Sequence, residues 1–159
     1  MNTSDSLESR IGVRLNALER TVAAAESCSG GLIAHRLTNV PGASAYFLGG
    51  VVAYCNEAKC FLLGVEHEAL AAHGAVSEIV ATRMAEGVRR RFGADYGVAC
   101  TGIAGPGGGT AAKPVGLVYI AVAFEEATKV ARHVFSGSRL LVKEQTAEDA
   151  LAMLLENVE

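Results

Sequence analysis

Two short apolar runs, at 21–25 and 96–100, restrict the fold of this chain more than any other feature. Runs of this kind predict strands that are buried on both faces of a sheet. Helical periodicity precedes the first run, since apolar residues recur at steps of three and four over residues 7–18. The chain therefore begins with a helix followed by a buried strand.

Patterns further along the chain predict more elements of both kinds. Helices are predicted over 31–37, up to about 63, over 77–92 and over 140–155, with Asn56 and Ser77 as caps and Gly93 closing the third. A strand is predicted within 46–55, and two more at 116–124 and 129–135 form a hairpin through the polar residues 125–128. This order predicts a single three-layer α/β domain, with a mixed β-sheet flanked by helices, over 7–157. Residues 1–6 are expected to be a flexible N-terminus.

Composition excludes several functional classes. The 159 residues suit one domain, and the net charge of −3 provides no basic field for nucleic acid. No apolar run approaches the length that crosses a bilayer. The four cysteines and four histidines lack the spacings of a zinc site, which predicts no metal and reduced thiols. We expect a cytoplasmic protein that binds neither nucleic acid nor membrane.

The first candidate site is the turn ESCSGG at 26–31, between the first strand and a helix. Its small residues allow backbone N–H groups to face an anion or an oxyanion, with Ser27, Ser29, Gly30 and Gly31 as binding residues. Ser29 occupies the position of a nucleophile-elbow serine, but Ser27 stands where that motif has glycine. The alternative is a capped helix without a ligand.

The second candidate set is Ser44, Tyr54 and Lys59. A serine attacks a carbonyl only when a base removes its proton, and a lysine near the positive end of a helix can be that base. Spacing alone leaves open whether the three residues meet. The alternative is that Ser44 caps a helix, Tyr54 lies at the edge of the core and Lys59 is a solvated charge.

The third candidate is the glycine-rich stretch that follows Thr101 and extends to 110. It lacks the Gly-Lys-Ser/Thr ending of a phosphate-binding P-loop, and it leads into a strand rather than a helix. Such close-approaching backbone still suits a phosphate or ribose, with Thr101, Gly102 and Gly105 as contacts. The alternative is a flexible surface loop.

Five motifs in register carry a resemblance to a known family. They are ESCSGG at 26–31, GASAYFLGGVVAYCNEAK at 42–59, GAVSE at 74–78, TGIAGPGGGTAAKPVG at 101–116 and FSGSR at 135–139. Together they resemble the CinA C-terminal domain family over nearly the whole chain. The resemblance implies hydrolysis of the carboxamide of nicotinamide mononucleotide, giving nicotinate mononucleotide and ammonia in pyridine-nucleotide recycling. It implies no cofactor, and it suggests a homo-oligomer.

The resemblance also assigns roles to residues. It implies Ser44, Tyr54 and Lys59 as the catalytic set, with Lys59 and Tyr54 activating Ser44 as nucleophile. The 5′-phosphate then needs an anion site, for which Thr101, Gly102, the glycine loop and Arg139 are candidates. The alternative for Arg139 is an ordinary first-turn residue after a Ser138 cap.

Two positions depart from the family pattern, which commonly has Thr at position 29 and Ser at position 55. Both changes approximately keep size and polarity, so we expect activity to survive. Long family members also carry a molybdopterin-binding-like domain, and its functions are not transferred to this chain.

Two other functions compete with the amidase hypothesis. One is a nonenzymatic nucleotide-binding module in which the serine and lysine do no chemistry. The other is a nucleotide pyrophosphatase, a chemistry that usually needs clustered carboxylates for magnesium. Only Glu26 and Glu57 lie near the candidate motifs.

Overall fold

The computed structural model describes residues 6–125 and 127–158. The predicted flexible segment 1–6 therefore lies outside the described residues, apart from Ser6. The helices are α1 (Leu7–Leu18), α2 (Leu32–Thr38), α3 (Asn56–Leu63), α4 (His67–His73), α5 (Glu78–Phe92) and α6 (Arg139–Asn157). The strands are β1 (Val22–Glu26), β2 (Phe47–Val52), β3 (Tyr96–Gly102), β4 (Leu117–Ala123) and β5 (Thr128–Val134).

The described strands form one mixed sheet in the order β2-β1-β3-β4-β5. Strands β2, β1 and β3 run parallel, whereas β4 and β5 form the predicted antiparallel hairpin beside β3. The chain leaves β1 for β2 on one side and later returns to β3 on the other side. The strand order therefore reverses at β1, so the carboxyl ends of β1 and β3 lie side by side.

Helices cover both faces of the sheet. Alternate residues of β1 enter two separate cores, with Val22 and Ala24 in the core shared with α1, α2 and α6. Ala23 and Ala25 enter the other core, shared with α3, α4 and α5. The predicted three-layer α/β domain with a mixed sheet is confirmed.

The core beneath α5 is built for close packing. Its buried strand positions are all alanines, namely Ala23, Ala25, Ala99, Ala121 and Ala123. A Cβ at Gly97 of β3 would overlap the Ala85 carbonyl oxygen of α5, and one at Gly87 would overlap the Leu63 carbonyl oxygen. Small residues therefore let α5 pack closely against both the sheet and α3.

Most predicted helix boundaries agree with the structure. Ser77 caps α5 by accepting a hydrogen bond from Val80 N, and Gly93 ends this helix with a positive φ. The predicted Asn56 cap is wrong by one position, since the backbone of Cys55 is extended and α3 begins at Asn56. Lys59 is therefore the fourth residue of α3, and Glu126 of the predicted hairpin connection lies outside the described residues.

Two further features concern the chain's chemistry. All four cysteines lie in the described part of the chain, and none of them forms a disulfide there. Among residues 6–125 and 127–158, none of the helices is long and apolar enough to cross a membrane.

Candidate active site

A cleft of about 270 Å³ opens at the carboxyl ends of β1 and β3. Open α/β sheets characteristically bind ligands where the strand order reverses, and this cleft lies at that point. Its walls come from the turn after β1, the start of α3, the segment before α5, the glycine loop and the start of α6. The lining residues are Ser27, Cys28, Tyr54, Asn56, Lys59, Ala75, Val76, Thr101, Gly102, Ile103, Ala104, Gly105, Gly107, Gly108 and Arg139.

Ser27 and Lys59 form a buried pair in this cleft. Lys59 Nζ lies 3.0 Å from Ser27 Oγ and 2.9 Å from the Ala53 carbonyl oxygen. The side chains are almost fully buried, with exposed fractions of 7% for Ser27 and 1% for Lys59. Burial lowers the pKa of Lys59 below the ordinary lysine value, and neighbouring thiols only partly oppose this shift. The pair thus joins a hydroxyl to an amine that loses its proton more readily than usual.

Local sequence explains how the pair forms. Ser27 directly follows β1, where its backbone N–H donates to the Cys100 carbonyl oxygen of β3. Lys59 projects from the first turns of α3, which follows the neighbouring strand β2. Because β1 and β2 run parallel, both residues lie at the same edge of the sheet.

The turn that contains Ser27 is held by a buried carboxylate. Glu26 is 1% exposed and accepts a hydrogen bond from Ser29 Oγ. It also accepts from three backbone N–H groups, those of Gly31, Ile33 and Ala34. Among the described residues, the backbone N–H groups of Cys28 and Ser29 donate to no other residue. Of these two residues only Cys28 lines the cleft, so its N–H is a candidate donor immediately after Ser27.

Arg139 connects the far walls of the cleft. Its Nη2 atom donates to the Tyr54 hydroxyl at 2.6 Å, and its Nη1 atom donates to the Gly105 carbonyl oxygen at 2.8 Å. Arg139 is also the first residue of α6 after the Ser138 cap, which agrees with the first-turn alternative considered from sequence. No Asp or Glu among the described residues forms an ion pair with this guanidinium. Its charge is therefore available to an anion.

The predicted loop residues Thr101, Gly102 and Gly105 all line the cleft. The buried Thr101 hydroxyl donates to the Ala75 carbonyl oxygen at 2.8 Å, which ties β3 to the segment before α5. Gly102 ends β3, and a Cβ there would lie only 2.6 Å from a Val118 methyl group. Gly105 has a φ of +81°, a conformation that favours glycine. Packing and backbone geometry, rather than flexibility alone, account for these glycines.

Ser44 lies at the opposite end of β2 from Tyr54 and Lys59. It is exposed in a short 3₁₀ turn, Ala43–Ala45, that precedes β2, whereas Tyr54 and Lys59 follow that strand. A strand of six residues is about 20 Å long. This placement corrects the expected Ser44–Tyr54–Lys59 set, because one chain does not bring Ser44 to the other two.

Ser29, Gly30 and Gly31 also lie outside the cleft. The Ser29 hydroxyl is buried between Glu26 and Cys100 Sγ, at 3.0 Å from the sulfur. Gly30 and Gly31 line a neighbouring groove toward α6. Of the four binding residues predicted in this turn, only Ser27 reaches the cleft.

The sequence analysis did not identify the contact between Ser27 and Lys59. It named Ser27 only as a binding residue and Lys59 as the partner of Ser44. The signal that identifies the pair is the position of each residue relative to its strand, since Ser27 and Lys59 follow strands whereas Ser44 precedes one.

Carboxylates are scarce near this cleft. No Asp or Glu occurs among the described residues that line it. In the described part of the chain, no group of three His, Cys, Asp or Glu side chains is arranged to hold a metal ion.

The chain is similar to proteins of one family in sequence and in structure. The CinA C-terminal domain family matches residues 4–158. The chain is 56% identical over 150 residues to a putative competence-damage inducible protein of Moorella thermoacetica, and 53% identical over 146 residues to a CinA-like protein of Salinibacter ruber. These matches cover 94% and 92% of this chain, but only 36% and 35% of the relatives. The chain thus spans about a third of their length.

Solved structures agree over almost the full fold. The competence/damage inducible protein CihA of Agrobacterium tumefaciens matches with a TM-score of 0.92 and 43% identity, over 94% of this chain and 92% of that one. A CinA superfamily protein of Klebsiella pneumoniae matches with a TM-score of 0.93 and 36% identity, over 99% and 98% of the two chains. The chain therefore belongs to the CinA C-terminal domain family.

Proposed function

We propose that this chain hydrolyses the carboxamide of nicotinamide mononucleotide, with Ser27 as the nucleophile and Lys59 as the general base. The observation that carries the proposal is the 3.0 Å contact between Lys59 Nζ and Ser27 Oγ in a buried cleft. The substrate class follows from the family resemblance, which implies a nicotinamide-nucleotide amidase. Ser27 takes the nucleophilic role that the resemblance had assigned to Ser44.

The first half-reaction needs Lys59 in its neutral form, which the lowered pKa favours. A neutral amine donates one hydrogen to the Ala53 carbonyl oxygen and turns its lone pair toward the Ser27 hydroxyl. Lys59 takes the hydroxyl proton while Ser27 Oγ bonds to the amide carbon. The tetrahedral adduct collapses when Lys59 returns that proton to the leaving nitrogen, which departs as ammonia.

The second half-reaction removes the acyl group from Ser27. Lys59 takes a proton from water, and the resulting hydroxide attacks the ester carbon. Collapse of this adduct breaks the bond to Ser27 Oγ, which recovers its proton from Lys59. The sum is amide plus water giving carboxylic acid plus ammonia, and no redox or metal chemistry enters.

The oxyanion of each adduct needs donors close to the Ser27 carbon–oxygen bond. The backbone N–H of Cys28, a residue that lines the cleft, directly follows Ser27 and donates to no other residue among those described. In other hydrolases, the N–H of the residue after a nucleophile on a strand-to-helix turn has this role. One such donor contributes about 3 kcal/mol to the transition state.

Arg139 is our candidate for the 5′-phosphate of the substrate. Among the described residues its guanidinium has no carboxylate partner, and it donates one hydrogen bond from Nη1 to Gly105 and one from Nη2 to Tyr54. Guanidinium groups bind phosphate oxygens through paired N–H donors. Tyr54 then orients Arg139 and closes one wall of the cleft, while Thr101, Gly102 and the glycine loop form the wall that faces the ribose.

Ammonia release from nicotinamide mononucleotide tests the proposal, with wild type beside Ser27→Ala and a chelator present throughout. We expect ammonia from the wild type, almost none from the variant, and no release of inorganic phosphate or pyrophosphate. Nucleotide binding by an inactive wild type would instead support a nonenzymatic binding module. Chelator-sensitive release of phosphate would support a pyrophosphatase.

We also propose a homo-oligomer located in the cytoplasm. Support for self-association is the edge strand β2, which exposes Leu48 and Val52 at the border of the sheet. Support for the location is the free state of the four cysteines, since reduced thiols persist in that compartment. Sedimentation that detects only monomer at working concentration would contradict the oligomer.

A further inference from the structure

We propose that Glu26 is a positioning residue that fixes the oxyanion donor after Ser27, the backbone N–H of Cys28. The inference rests on the proposed function in taking Ser27 as the nucleophile, but it does not depend on which amide is the substrate. Glu26 does not line the cleft, so its effect on catalysis would pass through the turn 27–31.

The Glu26 carboxylate accepts four hydrogen bonds from the segment that follows it. One oxygen accepts from Ser29 Oγ and the N–H groups of Gly31 and Ile33, and the other accepts from Ala34 N at 2.8 Å. All these donors lie within eight residues of Glu26 in sequence. The carboxylate therefore folds the following chain back upon itself and defines the shape of the turn.

The turn is thus held at both of its ends. At its entry, the Ala53 N–H donates to the Glu26 carbonyl oxygen at 2.8 Å, and the Ser27 N–H donates to the Cys100 carbonyl oxygen at 3.2 Å. At its exit, the Glu26 side chain binds the backbone from Gly31 onward. The N–H of Cys28 lies between these two attachments. Its direction is therefore set by strand pairing on one side and by Glu26 on the other.

The chemistry of the site requires a carboxylate here. A glutamine of the same shape would replace one acceptor oxygen with an NH₂ group, which would face N–H donors instead of binding them. An aspartate is one methylene shorter and would leave these buried N–H groups without a partner. Either change releases the exit of the turn while the strand pairing at its entry remains.

The inference makes a prediction that separates positioning from folding. Because Lys59 is bound by Ser27 and Ala53, and not by Glu26, the pH midpoint of kcat/KM should not move in Glu26→Gln. Misplacement of the Cys28 N–H should instead lower kcat by about 100-fold, with KM almost unchanged. General loss of structure would alter kcat, KM and the pH midpoint together.

The experiment compares the wild type with Glu26→Gln, Ser29→Ala and Ser29→Thr, and with Glu68→Gln as a control at an exposed carboxylate. Two rates are measured for each protein, namely ammonia release from nicotinamide mononucleotide and covalent labelling of Ser27 by a fluorophosphonate. Thermal melting establishes which variants are folded. Ser29→Ala removes one hydrogen-bond donor to Glu26. It replaces Glu26→Gln in the comparison if Glu26→Gln does not fold.

We expect both rates to fall strongly in Glu26→Gln, less in Ser29→Ala, and not at all in Ser29→Thr or Glu68→Gln. Folded Glu26→Gln or Ser29→Ala protein with wild-type rates would overturn the inference. If wild type releases no ammonia but Ser27 labelling still depends on Glu26, the inference stands and the proposed substrate is wrong. If wild-type Ser27 is not labelled, both the nucleophile and the inference are wrong.

Discussion

Polar side chains lie at both ends of the parallel strands, which we call the amino edge and the carboxyl edge of the sheet. The two edges differ in how these polar groups are paired. At the amino edge, Asp95 accepts hydrogen bonds from Arg20 Nη1 at 2.7 Å, Thr21 N at 2.8 Å and Thr21 Oγ1 at 2.9 Å. These contacts pair opposite charges and join the segment before β1 to the segment before β3. At the carboxyl edge, the buried Lys59 instead faces a serine hydroxyl and a carbonyl oxygen.

The difference separates polar groups that stabilise the fold from groups that can react. An ion pair favours the charged form of each partner, as at Asp95, whereas burial without a carboxylate favours a neutral amine, as at Lys59. The same sheet therefore holds a stabilising contact at one edge and a reactive pair at the other. Ser44 lies at the amino edge, where no base of lowered pKa is in contact with it among the described residues.

The largest expected effect contrasts the two serines directly. Ser27→Ala should lower kcat/KM for ammonia release by at least about 10⁴-fold, because loss of a nucleophile removes the covalent route. Ser44→Ala should leave the rate within about twofold, since surface changes away from the site have small effects. Steady-state ammonia release measures both. A large loss of activity in Ser44→Ala with full activity in Ser27→Ala would contradict Ser27 as the nucleophile and favour Ser44.

Loss of Lys59 and the pH dependence of activity both test whether Lys59 is the base. Lys59→Met should lower kcat/KM by about 10³-fold, the usual contribution of a general base, while exposed Lys129→Met on β5 should have no effect. In the wild type, kcat/KM should rise with pH until Lys59 is deprotonated. The lowered pKa of Lys59 puts this midpoint below the ordinary lysine value. A flat profile, or a midpoint at the ordinary value, would contradict its role as the base.

Arg139→Lys should have a smaller effect, which is confined to binding of the substrate's phosphate. A lysine keeps the charge but loses the paired N–H donors, so KM for nicotinamide mononucleotide should rise about tenfold. Activity toward nicotinamide riboside, which lacks the phosphate, should change little. Arg132→Lys on the exposed side of β5 is the matched control. Equal losses for both substrates would show that Arg139 does not bind the phosphate.

Asp95→Asn should affect stability alone. Loss of its charged hydrogen bonds should lower the free energy of unfolding by about 1–2 kcal/mol at pH 7, as measured by urea denaturation. Burial alone would raise the pKa of Asp95, but its hydrogen bonds from Arg20 and Thr21 outweigh burial and lower it. The stabilisation is therefore present above the unfolded-state pKa and is lost as pH falls through the folded-state value. The difference from wild type should disappear in that acidic window.

Two results would contradict this assignment of Asp95. One is a pH-independent stability difference, and the other is a large loss of ammonia release in folded Asp95→Asn protein. Asp149→Asn is the control, since its contact with His133 is partly exposed and should change stability by less than about 0.5 kcal/mol.

Much of the fold could be predicted from local patterns. The period of apolar residues located α1, and the cap at Ser77 with the glycine at 93 located α5. The apolar runs located β1 and β3, and the late hairpin followed from two β-runs with a polar connection. The helix α4 was not predicted, because it is short and none of its residues is buried, so it lacks a strong apolar stripe.

The site was harder to predict because it depends on strand direction. Motif similarity identified Tyr54, Lys59, Thr101 and Arg139, which the structure brings to one cleft. Spacing alone could not show that Ser44 and Lys59 lie at opposite ends of β2. The parallel pairing of β1 with β2 determines that Ser27, rather than Ser44, meets the lysine. The Glu26 contacts were equally hidden, since they require the chain to fold back over the turn.

The walls of the cleft come from segments as distant in sequence as Ser27 and Arg139. No short segment of the chain contains both the reactive pair and the cation of α6, and closing loops of this length is a late and cooperative event in folding. Catalytic turnover should therefore vanish along the same urea transition as the helical signal, without a partially active intermediate. In practical terms, ammonia release would report the native population of the whole domain.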